Sequence, residues 1–403
     1  MSYMVSMKND FLGICVPLAY YFAMLPDILE NKSRHFRTSY AIYSLFIYLI
    51  AFFGLLTEFI KFYQIVMDDI FIFDELIRNV VITMIHSTSA IKCIFLRSKR
   101  GAKLITKILN YEKTVYESAN DEVILIYREV LSTMQRTKHY YFSGVFLVVV
   151  FYIAAPTFRD PYFVSKGNET IIVQQMPLSS WTPLEENYWF SYIWTSGTGA
   201  YLSIFFVTTD LTCYSYIMFG ICQINILDYF IFNFYKYSNI IKQEQNCTEE
   251  ESYRILQREL IIMHQEVISY VKDLNGALKH IMLLDLVPSS VQLAGILFQM
   301  ITNLSVIQCI LLGHFVLTLI ARIFIYCNSA NTLVVRSQAI ASSWYNMDWT
   351  KLPTDMRRNV VLCVLRAQKP LYISIGDMGT ISLNTFLAIL KGTYSYMMLL
   401  TTI

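Results

Sequence analysis

The 403-residue chain is 55% hydrophobic and only 15% charged, with a positive mean hydropathy, whereas soluble domains devote about a quarter of their residues to Asp, Glu, Lys and Arg. Apolar segments recur along its whole length, which excludes a string of soluble domains and predicts one all-α integral membrane unit. The net charge of +2 points to no charged partner, and no nucleic-acid partner is expected.

In chain order, residues 11–25 (FLGICVPLAYYFAML) contain Pro17 and lack a small-residue cleavage pattern, so they predict a short amphipathic or re-entrant segment rather than a signal peptide. Runs of about 20 apolar residues, the length that crosses a hydrocarbon core as a helix, predict seven spans. They fall at 40–60 (YAIYSLFIYLIAFFGLLTEFI), 71–95, 139–156, 193–220, 286–309, 314–334 and 380–402. The fifth and sixth form almost one continuous apolar stretch, so a tight turn is expected near Gly313 and His314. Gly197 and Gly199, in SGTGAY, open the fourth span and predict close helix packing.

Seven spans put the termini on opposite sides, and the basic residues indicate which. With a cytoplasmic N-terminus, 25 of the 32 Lys and Arg lie in inside segments and three (Lys61, Arg159, Lys166) in outside loops. The opposite orientation, which a G-protein-coupled receptor requires, reverses that ratio. In the favoured orientation the only outside glycosylation sequon is at Asn168, in the second outer loop, and the outer loops contain no cysteine to form a disulfide. The inner loops, 97–138 and 225–285, mix apolar and charged residues at helical spacing. In ILQRELIIMHQEVISYVKDL the stripe Ile255, Leu256, Leu260, Ile262, Met263, Val267, Tyr270 and Val271 predicts helices that continue below the membrane as a cytoplasmic platform.

Chemistry-bearing motifs are missing. No H-E-x-x-H, paired C-x-x-C, Walker A or G-x-S-x-G pattern occurs, and the six histidines never stand at metal-ligand spacing with a second donor. No enzymatic activity, metal or other cofactor is expected. Charges within spans are functional candidates: Arg78 and Lys92, near the ends of span two, are expected to snorkel, and Asp210 and Arg322, lying deeper, to be structurally paired.

From Ile325 onward the chain carries Tyr326-Cys327, a polar turn at 328–331, Tyr345 and Trp349, Pro353, the basic helix ending R-A-Q-K-P at 366–370, then L-N-T-F at 383–386, L-K at 390–391 and T-Y-S-Y at 393–396. This set resembles the C-terminal signature of the insect odorant receptors. The polar turn lacks the usual glycine, and Asp377-Met378 departs from the family pattern. The long inserted second inner loop of the shared co-receptor subunit is absent, so the chain resembles a ligand-tuning subunit. The resemblance implies an odorant-gated, non-selective cation channel in the plasma membrane of olfactory sensory neurons, a heterotetramer with the co-receptor, embedded in lipid and passing cations. A gustatory channel of the same superfamily is the alternative, though its final Gln-Phe pair is absent; a G-protein-coupled receptor is disfavoured by orientation, and a transporter by the lack of repeat symmetry.

The expected organisation is a cytoplasmic N-terminal segment (1–39), a six-helix ligand-binding region with cytoplasmic extensions (40–334), a cytoplasmic anchor segment (335–379) and a pore-lining helix (380–403) with an extracellular C-terminus. Helical spacing on that last helix groups Leu390, Thr393, Met397 and Leu400, with Phe386 below and Thr401 beyond. Apolar side chains at a constriction block ions by dewetting, and Met397 falls where the family places its gate. The family's odorant pocket lies in the outer halves of spans two, three, four and six. There the chain supplies Leu76, Val80, Thr83, Val148, Tyr152, Tyr201, Phe205, Phe315 and Leu319.

Overall fold

The computed structural model describes residues 11–13, 15–24, 34–68, 72–118, 120–158, 162–166, 169–173, 176–302 and 306–402. The described residues form a nearly all-helical protein with eleven α-helices and two small antiparallel hairpins. The helices are α1 (Cys15–Tyr21), α2 (Arg34–Met67), α3 (Phe73–Arg97), α4 (Lys99–Glu117), α5 (Asp121–Ala154), α6 (Tyr188–Phe232), α7 (Phe234–Gln245), α8 (Glu249–Thr302), α9 (Val306–Asn346), α10 (Thr354–Ala367) and α11 (Leu383–Thr402).

Local chemistry sets several boundaries. Asn120 caps α5 by accepting from the backbone N–H groups of Glu122 and Val123, with Asp121 and Glu122 in the first turn. Asn187 caps α6 through Phe190 N. Before α8, Thr248 and Glu251 form a capping box, the Thr hydroxyl accepting from Glu251 N and the Glu carboxylate from Thr248 N.

Six helices, α2, α3, α5, α6, α8 and α9, are long and apolar enough to cross a membrane. The final helix has 20 residues but is not among those six; Lys391 and the hydroxyls at 393–396 dilute its apolarity. α6 is the axis of the bundle: 94% of its most apolar stretch is buried, against 28% for α2. The outer surface of α2, with Ile42, Leu45, Phe46, Leu49 and Phe52 exposed, is a lipid-facing side by composition. Where α8 crosses α3, Gly295 permits the approach, since a Cβ there would lie 2.9 Å from Ile77 Cγ2.

Two expectations are revised. α8 ends at Thr302 and α9 begins at Val306, so Gly313 and His314, where the turn was expected, lie inside α9. A glycine in a long apolar run is tolerated when neighbouring turns are held by packing, and His314 Nε2 meets Gly144 O on α5 at 3.1 Å. The boundary at 334/335 falls within α9, which runs without interruption to Asn346. The loop between α5 and α6 carries a β-hairpin, Tyr162–Lys166 paired with Glu169–Val173; Asn168, the expected glycosylation site, lies outside the described residues.

At the basic end, α4, α7, α10 and the extensions of α5, α6, α8 and α9 pack together. Of the stripe expected on α8, Leu256, Leu260, Val267, Tyr270 and Val271 are buried, while Ile262 is 38% exposed. The segment after α9 is tied to α8: Gln257 Nε2 donates to Met356 O at 3.0 Å, Asn359 Nδ2 to Gln257 Oε1 at 3.1 Å, and Ser374 N to Asn275 Oδ1 at 2.8 Å. The following hairpin turns at Gly376, whose φ of +53° suits glycine. Its N–H donates to Lys279 O, again on α8.

Candidate functional site

A cavity of about 80 Å³, several times the space one water needs, lies between α3, α5, α6 and α9. Its wall is mostly apolar: Ile82 and Ile85 from α3, Val145, Val148, Val149, Tyr152 and Ile153 from α5, Phe206 from α6, Phe315 and Leu319 from α9. Tyr152 and Phe315 meet edge to face with centroids 5.5 Å apart. The loop between α5 and α6 supplies Pro177 and Leu178. That loop is held in place where Trp181 N donates to Thr57 O at 3.0 Å and Asn79 Nδ2 to Ser179 O at 2.8 Å.

Polar groups in the wall are few. Thr195 Oγ1 donates to Ser191 O at 2.8 Å and Thr318 Oγ1 to His314 O at 2.9 Å, so both hydroxyls bond their own helices. Ser196 Oγ is buried without a partner. His86 stands in the wall with Nδ1 2.6 Å from Glu58 Oε1.

Of the expected pocket residues, Val148, Tyr152, Phe315 and Leu319 line this cavity. Leu76, Val80 and Thr83 on α3 do not. Tyr201 and Phe205 face the other side of α6: the Tyr201 hydroxyl donates to Ile47 O at 2.8 Å, and the rings pack with Phe22. The cavity face of α6 is instead Thr195, Ser196, Gly199, Ser203 and Phe206, recurring at three to four residues. That spacing was available in the sequence, but the small polar residues carry no hydrophobic signal. Neither glycine of SGTGAY marks the expected close helix packing: a Cβ on Gly197 would meet nothing within 4 Å, and one on Gly199 would make ordinary contact with Leu178 Cδ2 at 3.8 Å.

About one helical turn along from the cavity, four charges meet. Lys92 Nζ donates to Asp210 and, at 2.8 Å, to Asp285 Oδ2; Arg322 Nη1 donates to Asp285 Oδ1 at 2.7 Å and Nη2 to Ser289 Oγ at 2.9 Å. Tyr141 donates to Asp210 Oδ2 at 3.0 Å, and Tyr326 to the Asp210 carbonyl at 2.9 Å. All four charged residues are at most 2% exposed, and two positive charges balance two negative ones, the condition under which ions persist in a low-dielectric interior. Lys92 therefore does not snorkel, because its ammonium is held by two carboxylates. Arg78 pairs with Asp74 one turn away at 3.3 Å. The cluster ties α3, α5, α6, α8 and α9 together at positions four residues from Phe206 and Val145 and three from Leu319.

α8 then leads to the last helix, which packs along it; a Cβ on Gly392 would sit 3.6 Å from Ser290 Cβ. The expected pore residues divide there. Thr393 is 4% exposed, with Oγ1 bonded to Ile389 O at 2.9 Å, so it faces its own bundle rather than a pore: a threonine in a helix can satisfy its hydroxyl on the preceding turn and bury its methyl. Leu390 and Met397 are half-buried at the border between that side and the exposed one, Leu400 is half-buried near the helix end, and Thr401 is exposed. Lys391, Tyr394, Ser395 and Met398 occupy the exposed opposite side.

The fold thus defines a multi-pass membrane protein with a mostly apolar cavity between its helices. The sequence model of the family described as 7tm odorant receptor matches residues 72–394, and the chain belongs to that family, one of receptors rather than enzymes. Among relatives, odorant receptor Or2 of Anopheles gambiae is 29% identical over 36% of this chain and 38% of its own length. Odorant receptor 10 of Aedes albopictus is 27% identical over 49% and 48%. These matches span less than half the length of either relative. The solved insect olfactory receptor OR5 from Machilis hrabei shares the fold, with a TM-score of 0.73 and 12% identity over 97% of this chain and 99% of that one. Its complex with eugenol aligns at 0.69 over 98% and 100%.

Proposed function

We propose that this chain is the odorant-tuning subunit of a ligand-gated, non-selective cation channel. It assembles with the odorant co-receptor as a heterotetramer in the plasma membrane of olfactory sensory neurons, N-terminus inside. The observation that carries the reading is the cavity itself: a space several times that of one water, walled by apolar side chains from four spans, with one turn of helix separating it from the charge cluster that reaches α8. A small volatile molecule that fills the space shifts α3, α5, α6 and α9 against one another, and the cluster passes that shift through Asp285 and Ser289 to α8 and the helix packed on it. The last helix lines the pore, with Leu390, Met397 and Leu400 forming the dewetting constriction and Thr401 offering a hydroxyl beyond it.

Expression with and without the co-receptor, with currents recorded across esters, alcohols, aldehydes and terpenoids while G-protein signalling is blocked, tests the reading. Odorant-evoked cation current only in the co-expressed pair is the expected result, and no current from a surface-expressed pair overturns it. Met397→Ala is expected to raise basal opening or alter ion selectivity, whereas Thr393→Val leaves both unchanged. An unaltered Met397→Ala channel removes that residue from the gate.

A further inference from the structure

The cavity wall also carries a buried acid–imidazole pair. Glu58, on α2, is fully buried, and its carboxylate meets a single ionisable partner, His86 Nδ1 at 2.6 Å. Glu58 Oε2 has no partner. His86 is 5% exposed and lines the cavity, and its second nitrogen, Nε2, has no partner among the described residues. The charge cluster offers this pair no ion contact, being closed on itself through Lys92, Asp210, Asp285 and Arg322.

A low-dielectric interior favours a buried pair that is neutral as a whole over a lone buried ion. Two neutral arrangements place a proton in the 2.6 Å contact with hydrogen on Nε2: a carboxylate facing an imidazolium, or a carboxylic acid donating through Oε1 to a neutral imidazole. The third, with the acid proton on Oε2 and Nδ1–H donating to Oε1, leaves a buried O–H with no acceptor. In both favoured arrangements Nε2 carries hydrogen. The ring presents to the cavity a donor whose orientation is set by Glu58, as a second group fixes a histidine's tautomer elsewhere.

We infer that His86, held by Glu58, is a specificity-determining donor, and that the cavity takes small volatile carbonyl compounds (esters, ketones and aldehydes) with the carbonyl oxygen accepting from His86 Nε2 and the carbon chain against Val148, Tyr152, Phe315 and Leu319. This rests on the proposed odorant-gated function and names its ligand class. A hydrocarbon of the same length fills the apolar wall but leaves the donor unpaired, which penalises it.

The test uses the full receptor co-expressed with the co-receptor, and probes matched for chain length: an ester, a ketone, an aldehyde and an alkane. In the wild type, replacing the carbonyl by a methylene is expected to raise the half-maximal concentration by about tenfold or more, the size of one well-placed hydrogen bond to a charge-assisted donor. His86→Phe, which keeps the volume and removes the donor, is expected to raise the half-maximal concentrations for the carbonyl compounds by about as much and to leave the alkane at least as potent as on the wild type. His86→Gln, which retains an N–H, recovers part of the preference. Equal wild-type potency for carbonyl and alkane, or a His86→Phe shift common to both, overturns the inference. The wild-type comparison decides alone if His86→Phe fails to reach the surface. Absence of current to every probe and every other odorant from a surface-expressed pair overturns instead the channel reading on which the inference rests.

Discussion

Tyr152 and Tyr201 are the same residue type on neighbouring helices, yet their surroundings give them different roles. The Tyr152 ring stands in the cavity wall edge-on to Phe315, while the Tyr201 hydroxyl is tied to Ile47 O and its ring packs on Phe22 and Phe205. Tyr152→Ala therefore enlarges the cavity and is expected to reorder ligand potencies toward bulkier molecules, read from dose-response curves in the co-expressed complex. Tyr201→Ala is expected to leave the ranking intact and to cost about 3 kcal/mol of stability through a lost aromatic contact, read as a lowered melting temperature of the purified receptor. An unchanged ranking in Tyr152→Ala removes that ring from the ligand site. Which tyrosine is which was not legible in the sequence: the two candidate faces of α6 differ by one residue step, Phe205 against Phe206, and both are apolar.

Among the elements, α8 connects most of the molecule. Its 54 residues, about 80 Å at 1.5 Å per residue, carry the platform stripe, the Asp285 carboxylate of the charge cluster, the Gly295 crossing and the packing surface for the last helix. Removing one charge from the cluster leaves an uncompensated ion. Lys92→Met is expected to destabilise the fold by about 3–5 kcal/mol, seen as loss of surface expression and a lowered melting temperature. Lys92→Met combined with Asp285→Asn restores the charge balance as Arg322 with Asp210 and is expected to recover part of that loss. A single variant as stable as the wild type shows that the cluster does not hold these helices together. Lys92, Asp210 and Arg322 were recognisable in the sequence as costly residues within spans, but Asp285 fell one position before the expected fifth span, and the pairings were not legible, since Lys92 and Asp210 are 118 positions apart.

For the whole molecule, the basic end presents an apolar surface that its own chain does not cover. α10 buries Met356, Val360, Cys363 and Ala367 against its own chain and leaves Val361, Leu362 and Leu365 at 58%, 64% and 54% exposed. Apolar side chains clustered on an exposed helix face mark an interaction surface, and a neighbouring subunit is the occupant that the proposed tetramer supplies. Leu362→Asp with Leu365→Asp is expected to abolish co-purification with the co-receptor while leaving the bundle folded, because neither side chain reaches the core. Unimpaired co-purification would place the subunit contact elsewhere.

The sequence by itself determined the solvent, the helical class and the family. Hydropathy and helical periodicity are sums over neighbouring residues, and the signature after Ile325 is contiguous. It also marked the zone of the cavity, since spans two, three, four and six supply its walls. Tertiary structure decided what depends on the rotation of one helix about its axis relative to another: that Phe206 rather than Phe205 faces the cavity, that Thr393 turns to its own bundle, and that His86 finds Glu58. A rotation of about 100° per residue moves a side chain from wall to core without changing local composition. Only the packed bundle, through contacts between residues tens to hundreds of positions apart, selects the phase.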